Sequence, residues 1–333
     1  MGKKTLNKKG GVGMTKKAKI WFITATCLVL IGCITFGGVM WVLEWDFTKL
    51  STTKFETNNY EINEDYNNIS IITKTADVVF TPCENTKTSV VCYEQKNIKH
   101  SVAVKDGTLI IEAVDSRKWY EHIGVNFNTP KITVNIPQGE YGALSVKGNT
   151  GNIEIGEDFK FDSIDINTTT GHVNNLASAF GNVKIATSTG NISTKNICAN
   201  TLDLSVSTGK VTVSDVACEG DIKVAVSTGK ANIVNAKGQN ITSTGDTGDL
   251  ILKNVIASGK LNLHRSTGNI SFDDSDGAEI IIKTSTGSVK GSLLSDKVFI
   301  TKTDTGRVDV PKTISGGKCE ITTDTGNITI TVK

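Results

Sequence analysis

The chain has 333 residues, of which 38% are apolar and 6% aromatic, with a formal net charge of +2. Its first 19 residues carry seven lysines and no acid, so the remainder holds 29 basic against 34 acidic residues, net −5. A net-acidic folded part excludes an external nucleic-acid surface, which needs Lys and Arg gathered on the domain itself.

Residues 1–19 form a basic tail with Lys3, Lys4, Lys8, Lys9, Lys16, Lys17 and Lys19, suited to the anionic lipids of an inner leaflet. Its Gly10, Gly11 and Gly13 make no phosphate loop, because no strand precedes them and no Gly-Lys-Ser/Thr follows. Leu6 stands where a myristoylation signal needs Ser or Thr. Residues 20–43 are 24 uncharged residues, which predicts a transmembrane helix of about 36 Å against a hydrocarbon core of roughly 30 Å. A cleaved secretory signal fits less well: the apolar run is long, and Trp45, Asp46 and Phe47 stand where small residues are needed. Lysines before the span and Glu44 and Asp46 after it predict a single-pass protein of the cell membrane, with a cytoplasmic N-terminus and an extracellular C-terminal domain.

Residues 44–65 are polar and read as a stalk or the start of a first strand. Residues 66–145 show apolar alternation, as in Ile69 and Ile71, Val78 and Phe80, Val102 and Val104, Leu109 and Ile111, and Ile132, Val134 and Ile136. That period of two predicts strands, and Asp106-Gly107 between two such runs predicts a hairpin. Lacking the repeat that follows, this region is expected to cap it. Cys83 and Cys92 are placed to bridge a hairpin.

Residues 146–333 carry a recurring pair: Thr150-Gly151, Thr170-Gly171, Thr189-Gly190, Thr208-Gly209, Thr228-Gly229, Thr247-Gly248, Thr267-Gly268, Thr286-Gly287, Thr305-Gly306 and Thr325-Gly326. Successive spacings are 19 or 20 residues, the mark of one supersecondary unit copied and stacked. In the unit 202–221, Leu202, Leu204 and Val206 alternate before the turn, and Val211 and Val213 after it. Each unit thus predicts two strands and two turns, with Gly181, Gly220, Gly238, Gly259, Gly277 and Gly316 marking the second turn at positive φ. The expectation is an all-β solenoid of about ten coils rising ~4.8 Å each. A chain of antiparallel hairpins is the alternative, but it gives no reason for a constant turn chemistry. Cys198 and Cys218, each 11 residues before the next turn glycine, would stack on adjacent coils within disulfide reach or stay as buried thiols. The last unit, ending at Lys333, is as regular as the rest, which predicts an exposed C-terminal coil open to self-association.

Candidate chemistry is sparse. Asp-Thr-Gly at Asp246, Asp304 and Asp324 matches the aspartic-protease triplet, yet it falls where other units have Ser-Thr-Gly, so these are turn residues. Asp273, Asp274 and Asp276 form an acidic stretch that could hold Ca²⁺ but lacks the Glu of a full calcium loop. His100, His122, His172 and His264 show no metal-type spacing. No nucleophile-base arrangement can be assembled, and no cofactor motif is present.

The run Asp106 to Ile111 (DGTLII), then Lys131 to Pro137 (KITVNIP), then the Ser-Thr-Gly-Asn-Ile repeats, taken in that order over residues 66–333, resembles a bacterial family of adhesin-like, β-strand-repeat proteins of the cell envelope. The family is formally a domain of unknown function. The resemblance implies a membrane-anchored solenoid, and some relatives are associated with envelope-stress systems; it implies no catalytic or binding residues. Together these point to a non-enzymatic surface protein whose repetitive polar turns bind a cell-wall polymer or an envelope protein. An envelope-stress sensor or regulator acting through a membrane-protein partner is the alternative, and a polysaccharide-acting enzyme on a β-helix the third reading.

Overall fold

The computed structural model describes residues 15–50, 53–84, 87–117 and 128–333. Lys3, Lys4, Lys8, Lys9, the three tail glycines and His122 lie outside the described residues. The chain divides into two compact units, one with the N-terminal helix and one with all the strands among the described residues.

The helix runs Lys16–Val42, 27 residues, or about 40 Å. Thr15 caps it, its side chain accepting from the Ala18 N–H at 3.3 Å. Ile20, Trp21, Phe22, Leu28 and Trp41 are exposed around it. Its hydroxyls are satisfied internally: Thr24 donates to the Ile20 carbonyl and Thr26 to that of Phe22, which suits a segment with no water to bond. The helix is long and apolar enough to cross a membrane.

In the β unit every strand among the described residues joins one sheet wound around one core. The strand before each Thr-Gly pair runs parallel to its counterpart in the next coil, with Thr150 beside Thr170, Thr170 beside Thr189, Thr189 beside Thr208 and Thr208 beside Thr228. This is a solenoid and not a chain of hairpins. Leu144, Ile164, Val183, Leu202 and Ile222 stack in one buried column because alternate strand residues point inward. Each such side chain contributes about 1.5–3 kcal/mol of burial.

The second corner differs from the expectation. The chain bends at Asn196, Asp215, Asn235, Asn254 and Asp274, all left-handed with φ of 50 to 56°. Among the six glycines assigned to that turn, only Gly316 has positive φ, 104°. Gly181, Gly220, Gly238, Gly259 and Gly277 sit at a third corner, where a neighbouring backbone comes close: a Cβ on Gly181 would lie 2.8 Å from the Asp162 carbonyl oxygen. These five coils therefore have three sides rather than two. From Thr to left-handed residue is always seven positions, so the 19-or-20 variation falls after that corner.

That joint undoes one disulfide expectation. Counting back from the next turn crosses the variable residue, and the actual register sets Cys198 beside Ala217 and Cys218 beside Ala199. Cys198 is exposed and Cys218 buried, so the two thiols leave opposite faces of the sheet. Cys83 and Cys92 do not bridge a hairpin either. The strand Lys131–Pro137 lies between theirs, with Cys83 opposite Pro137 and Cys92 opposite Ile132, about 16 Å apart along the strand and outside disulfide range. Cys27, Cys33, Cys92, Cys198, Cys218 and Cys319 are free thiols.

At the N-terminal end, Asn68–Thr73 and Asp77–Cys83 form a coil beneath the first array coil, Ile69 beside Leu144 and Val78 beside Ile153. Its corner takes the Thr-Gly place without glycine, the Thr150 N–H donating to the Lys74 carbonyl at 2.8 Å. Thr108–Asp115 and Lys131–Pro137 add one more coil outside it. Antiparallel strands then close the end: Ile98–Lys105 on Thr108–Asp115, Thr88–Gln95 on Lys131–Pro137, and Phe55–Ile62 on Thr88–Gln95. The Asp106-Gly107 hairpin forms as expected, with φ of 47° and 68°, a type I′ turn. Within the expected stalk, residues 55–62 are a strand whose Tyr60 and Ile62 pack on the core.

At the other end the last two coils exchange places. Gly317–Thr325 lies between Ile270–Thr286 and Lys297–Thr305, with Cys319 flanked by Ile280 and Phe299. Ile328–Val332 likewise lies between Val289–Leu293 and Val308–Asp309. The C-terminal coil is thus interior, and the exposed coil is the one at Thr305. Inward composition accounts for the exchange: the Thr305 coil points Phe299, Thr301 and Thr303 inward, the C-terminal one Cys319, Ile321 and Thr323. The more apolar coil takes the buried slot.

Candidate functional site

The Thr-Gly corners bring the predicted turn residues into two columns. All ten glycines have φ between 121° and 157°. A Cβ on any of them would lie 1.7 to 2.2 Å from a carbonyl oxygen of the coil next door. Glycine is constant here because the coils stack backbone on backbone. The residue after it stitches coils together: the His172 N–H donates to Asn152 Oδ1 at 3.0 Å, the Asn191 N–H to His172 Nδ1 at 3.0 Å, and the Lys210 N–H to Asn191 Oδ1 at 2.9 Å. Further along, the Ser288 N–H donates to Asn269 Oδ1 at 2.9 Å. These side chains are engaged in stacking, while all ten threonines of the pairs are exposed.

The second corner carries a ladder that the sequence reading missed. Asn235 Nδ2 donates to Asp215 Oδ1 at 2.7 Å and Asn254 Nδ2 to Asn235 Oδ1 at 3.0 Å. The Ser214 hydroxyl and the Asn235 amide hold the Asp215 carboxyl below its ordinary value. Its signal was available: Asn or Asp stands seven residues after Thr in five successive units. A groove of about 500 Å³ runs beside Asn196, Asp215, Asn235 and Asn254 and is flanked by Cys198 and Lys237. Those four corners span about 14 Å at the coil rise. A second hollow of about 360 Å³ shares Cys198 with it and adds Phe180, half-exposed, with Lys160 Nζ 3.4 Å over its ring.

The family model named Toastrack DUF4097 matches residues 66–331. The chain belongs to the Toastrack DUF4097 family. Solved structures similar to it include a "putative lipid binding protein" from Parabacteroides distasonis, 17% identical, covering 72% of this chain and 97% of that one, TM-score 0.46. A "putative adhesin" from the same organism is 14% identical over 82% and 98%, TM-score 0.41. Another from Bacteroides fragilis is 19% identical over 84% and 97%, TM-score 0.35. No curated protein matches the sequence.

In this family member the remaining candidates disperse. Asp273, Asp274 and Asp276 do not converge on an ion: Asp274 pairs with Lys333, and Asp276 Oδ1 with Lys297 Nζ at 2.6 Å. These lysines take the place a calcium ion would need, and Asp273 is exposed. Asp246, Asp304 and Asp324 are exposed corner residues, Asp304 paired with Lys302 at 3.3 Å. His172 is a stacking acceptor, and His100 is buried against Glu94 in the cap.

Proposed function

We propose that the protein is a non-enzymatic surface protein of the bacterial envelope, held by its N-terminal helix, whose solenoid binds an extended envelope polymer. The observation that carries this reading is the groove beside the Asn and Asp ladder. It repeats the same amide and carboxylate chemistry over four successive coils along the solenoid axis, and a polymer with repeating hydroxyl or amide groups meets such a surface multivalently. The half-exposed Phe180 adds an apolar platform at one end. The Thr-Gly turns support the reading less directly, since glycine and the residue after it serve coil stacking and only the Thr hydroxyls remain outward.

The test is binding of the full-length protein, in detergent micelles, to purified cell-wall sacculi. The reading expects saturable binding, competed by soluble wall fragments and weakened at least tenfold by Phe180→Ala with Lys237→Ala. Thr208→Ser and Thr228→Ser in the first corner should leave it unchanged. Absence of wall binding, together with crosslinks in membranes to one protein, would replace this reading with the regulator.

A further inference from the structure

At the capped end of the solenoid, away from the groove, three donor side chains of different chemistry face one another in the core. Cys92 and Glu94 point inward from Thr88–Gln95, and His100 follows on Ile98–Lys105. They are 0%, 0% and 4% exposed, and their ligand atoms lie within 4.8 Å of one another. No other group of three or more Cys, His, Asp or Glu residues converges in this way among the described residues.

The surroundings orient these donors. Glu94 Oε2 accepts from His100 Nδ1 at 2.7 Å and from the His100 backbone N–H at 2.6 Å, and Glu94 Oε1 accepts from Asn58 Nδ2 at 2.7 Å. His100 Nε2 lies 3.3 Å from Thr73 Oγ1. The ring thus directs Nδ1 into the cluster and Nε2 toward a hydroxyl able to accept its proton, the outer-shell arrangement that orients ligating histidines. Beside His100 a cavity of about 10 Å³, lined also by Thr73, Gln95 and Ile98, has room for one water.

Thiol, imidazole and a single carboxylate form a borderline donor set that favours zinc over the all-oxygen sites of calcium or magnesium. We propose that Cys92, Glu94 and His100 bind one Zn²⁺ as a structural ion of the cap. Binding takes the thiol proton to solvent and moves the imidazole proton from Nδ1 to Nε2, facing Thr73. One proton is released, and nothing is oxidised or reduced.

The experiment is titration of the full-length, chelator-stripped protein in detergent with Zn²⁺ alone and with Co²⁺ as a spectroscopic stand-in. The expected result is one equivalent bound, about one proton released, and a thiolate-to-cobalt charge-transfer band. Cys92→Val should abolish that band, the exposed Cys198→Ser should keep it, and Thr73→Val should weaken Zn²⁺ binding about 10–100-fold. A wild-type protein that takes up no Zn²⁺, which needs no variant to establish, would overturn the site. So would a band lost with Cys198→Ser or surviving Cys92→Val, or a Thr73→Val protein with wild-type affinity.

Discussion

The two ends of the solenoid solve the same problem differently. Each leaves the sequential order of coils: Thr108–Asp115 lies outside Asn68–Thr73 at one end, and Lys297–Thr305 lies outside Gly317–Thr325 at the other. The N-terminal end then buries its edge under three antiparallel strands. The C-terminal end leaves its outermost coil uncovered, with Lys297, Thr301 and Thr303 at three of its four inward positions and Pro311, which has no N–H to offer, soon after. An edge can be managed by covering it or by placing the least apolar unit there.

The largest expected effect separates array from cap. Gly209→Ala puts a Cβ 1.7 Å from the Gly190 carbonyl oxygen, whereas Gly107→Ala in the cap hairpin meets nothing within 4 Å. Thermal melts should show a loss of about 4 kcal/mol or more for the first and about 1–2 for the second, the cost of a left-handed alanine. Equal losses would mean the coils do not stack backbone on backbone.

Asp276→Asn comes next, at about 3–5 kcal/mol, because it leaves the buried Lys297 ammonium unpaired. Burial pushes the Asp276 carboxyl up, but Lys297, the Ser295 hydroxyl and the Gly277 N–H outweigh it and hold the carboxyl below its ordinary 3.8. A depressed folded value gives stability that is present above the unfolded pKa and lost as pH falls below about 4. Melting temperature followed from pH 6 to pH 3 should therefore fall more steeply in the wild type than in Asp276→Asn.

Arg265 is 1% exposed, its Nε has no hydrogen-bond partner, and burial pushes its guanidinium down to about 10. Arg265→Met should stabilise by about 1–2 kcal/mol, since an apolar side chain carries no desolvation cost there; a destabilised variant would show that the cation is compensated. Asn235→Ala should cost about 1–2 kcal/mol through its left-handed φ, and Asn235→Gly less. The smallest effect is at the open end: Ile300→Lys, on a half-exposed edge residue, should leave stability within about 0.5 kcal/mol. It should reduce any self-association seen by sedimentation, which an unchanged association state would refute.

The coil was legible because glycine is forced: no other residue tolerates a carbonyl that close at that φ, so chemistry and period coincide. The second corner was harder to see because Asn and Asp share the left-handed role, and two residue types dilute a repeat that glycine alone would sharpen. The exchanged coils were not legible, since the units at Thr286, Thr305 and Thr325 present nearly the same pairing edge and sequence neighbours are the natural guess. What decides between them is the inward content of Thr301 and Thr303 against Ile321 and Thr323, a difference of burial energy rather than of pattern. The cap cluster was missed for the opposite reason: Cys92, Glu94 and His100 have no ligand-type spacing, and only the turn at Lys96 and Asn97 brings them together.

The exchange of the last two coils can be tested by cysteine pairs in a Cys198→Ser background. Lys283 stands beside Thr322, and Thr322 beside Lys302, so Lys283→Cys with Thr322→Cys should crosslink rapidly on oxidation. Lys283→Cys with Lys302→Cys, two strands apart at roughly 9.6 Å, should not. Efficient crosslinking of the second pair and none of the first would mean that the coils stack in sequence order and that the C-terminal coil is the open end.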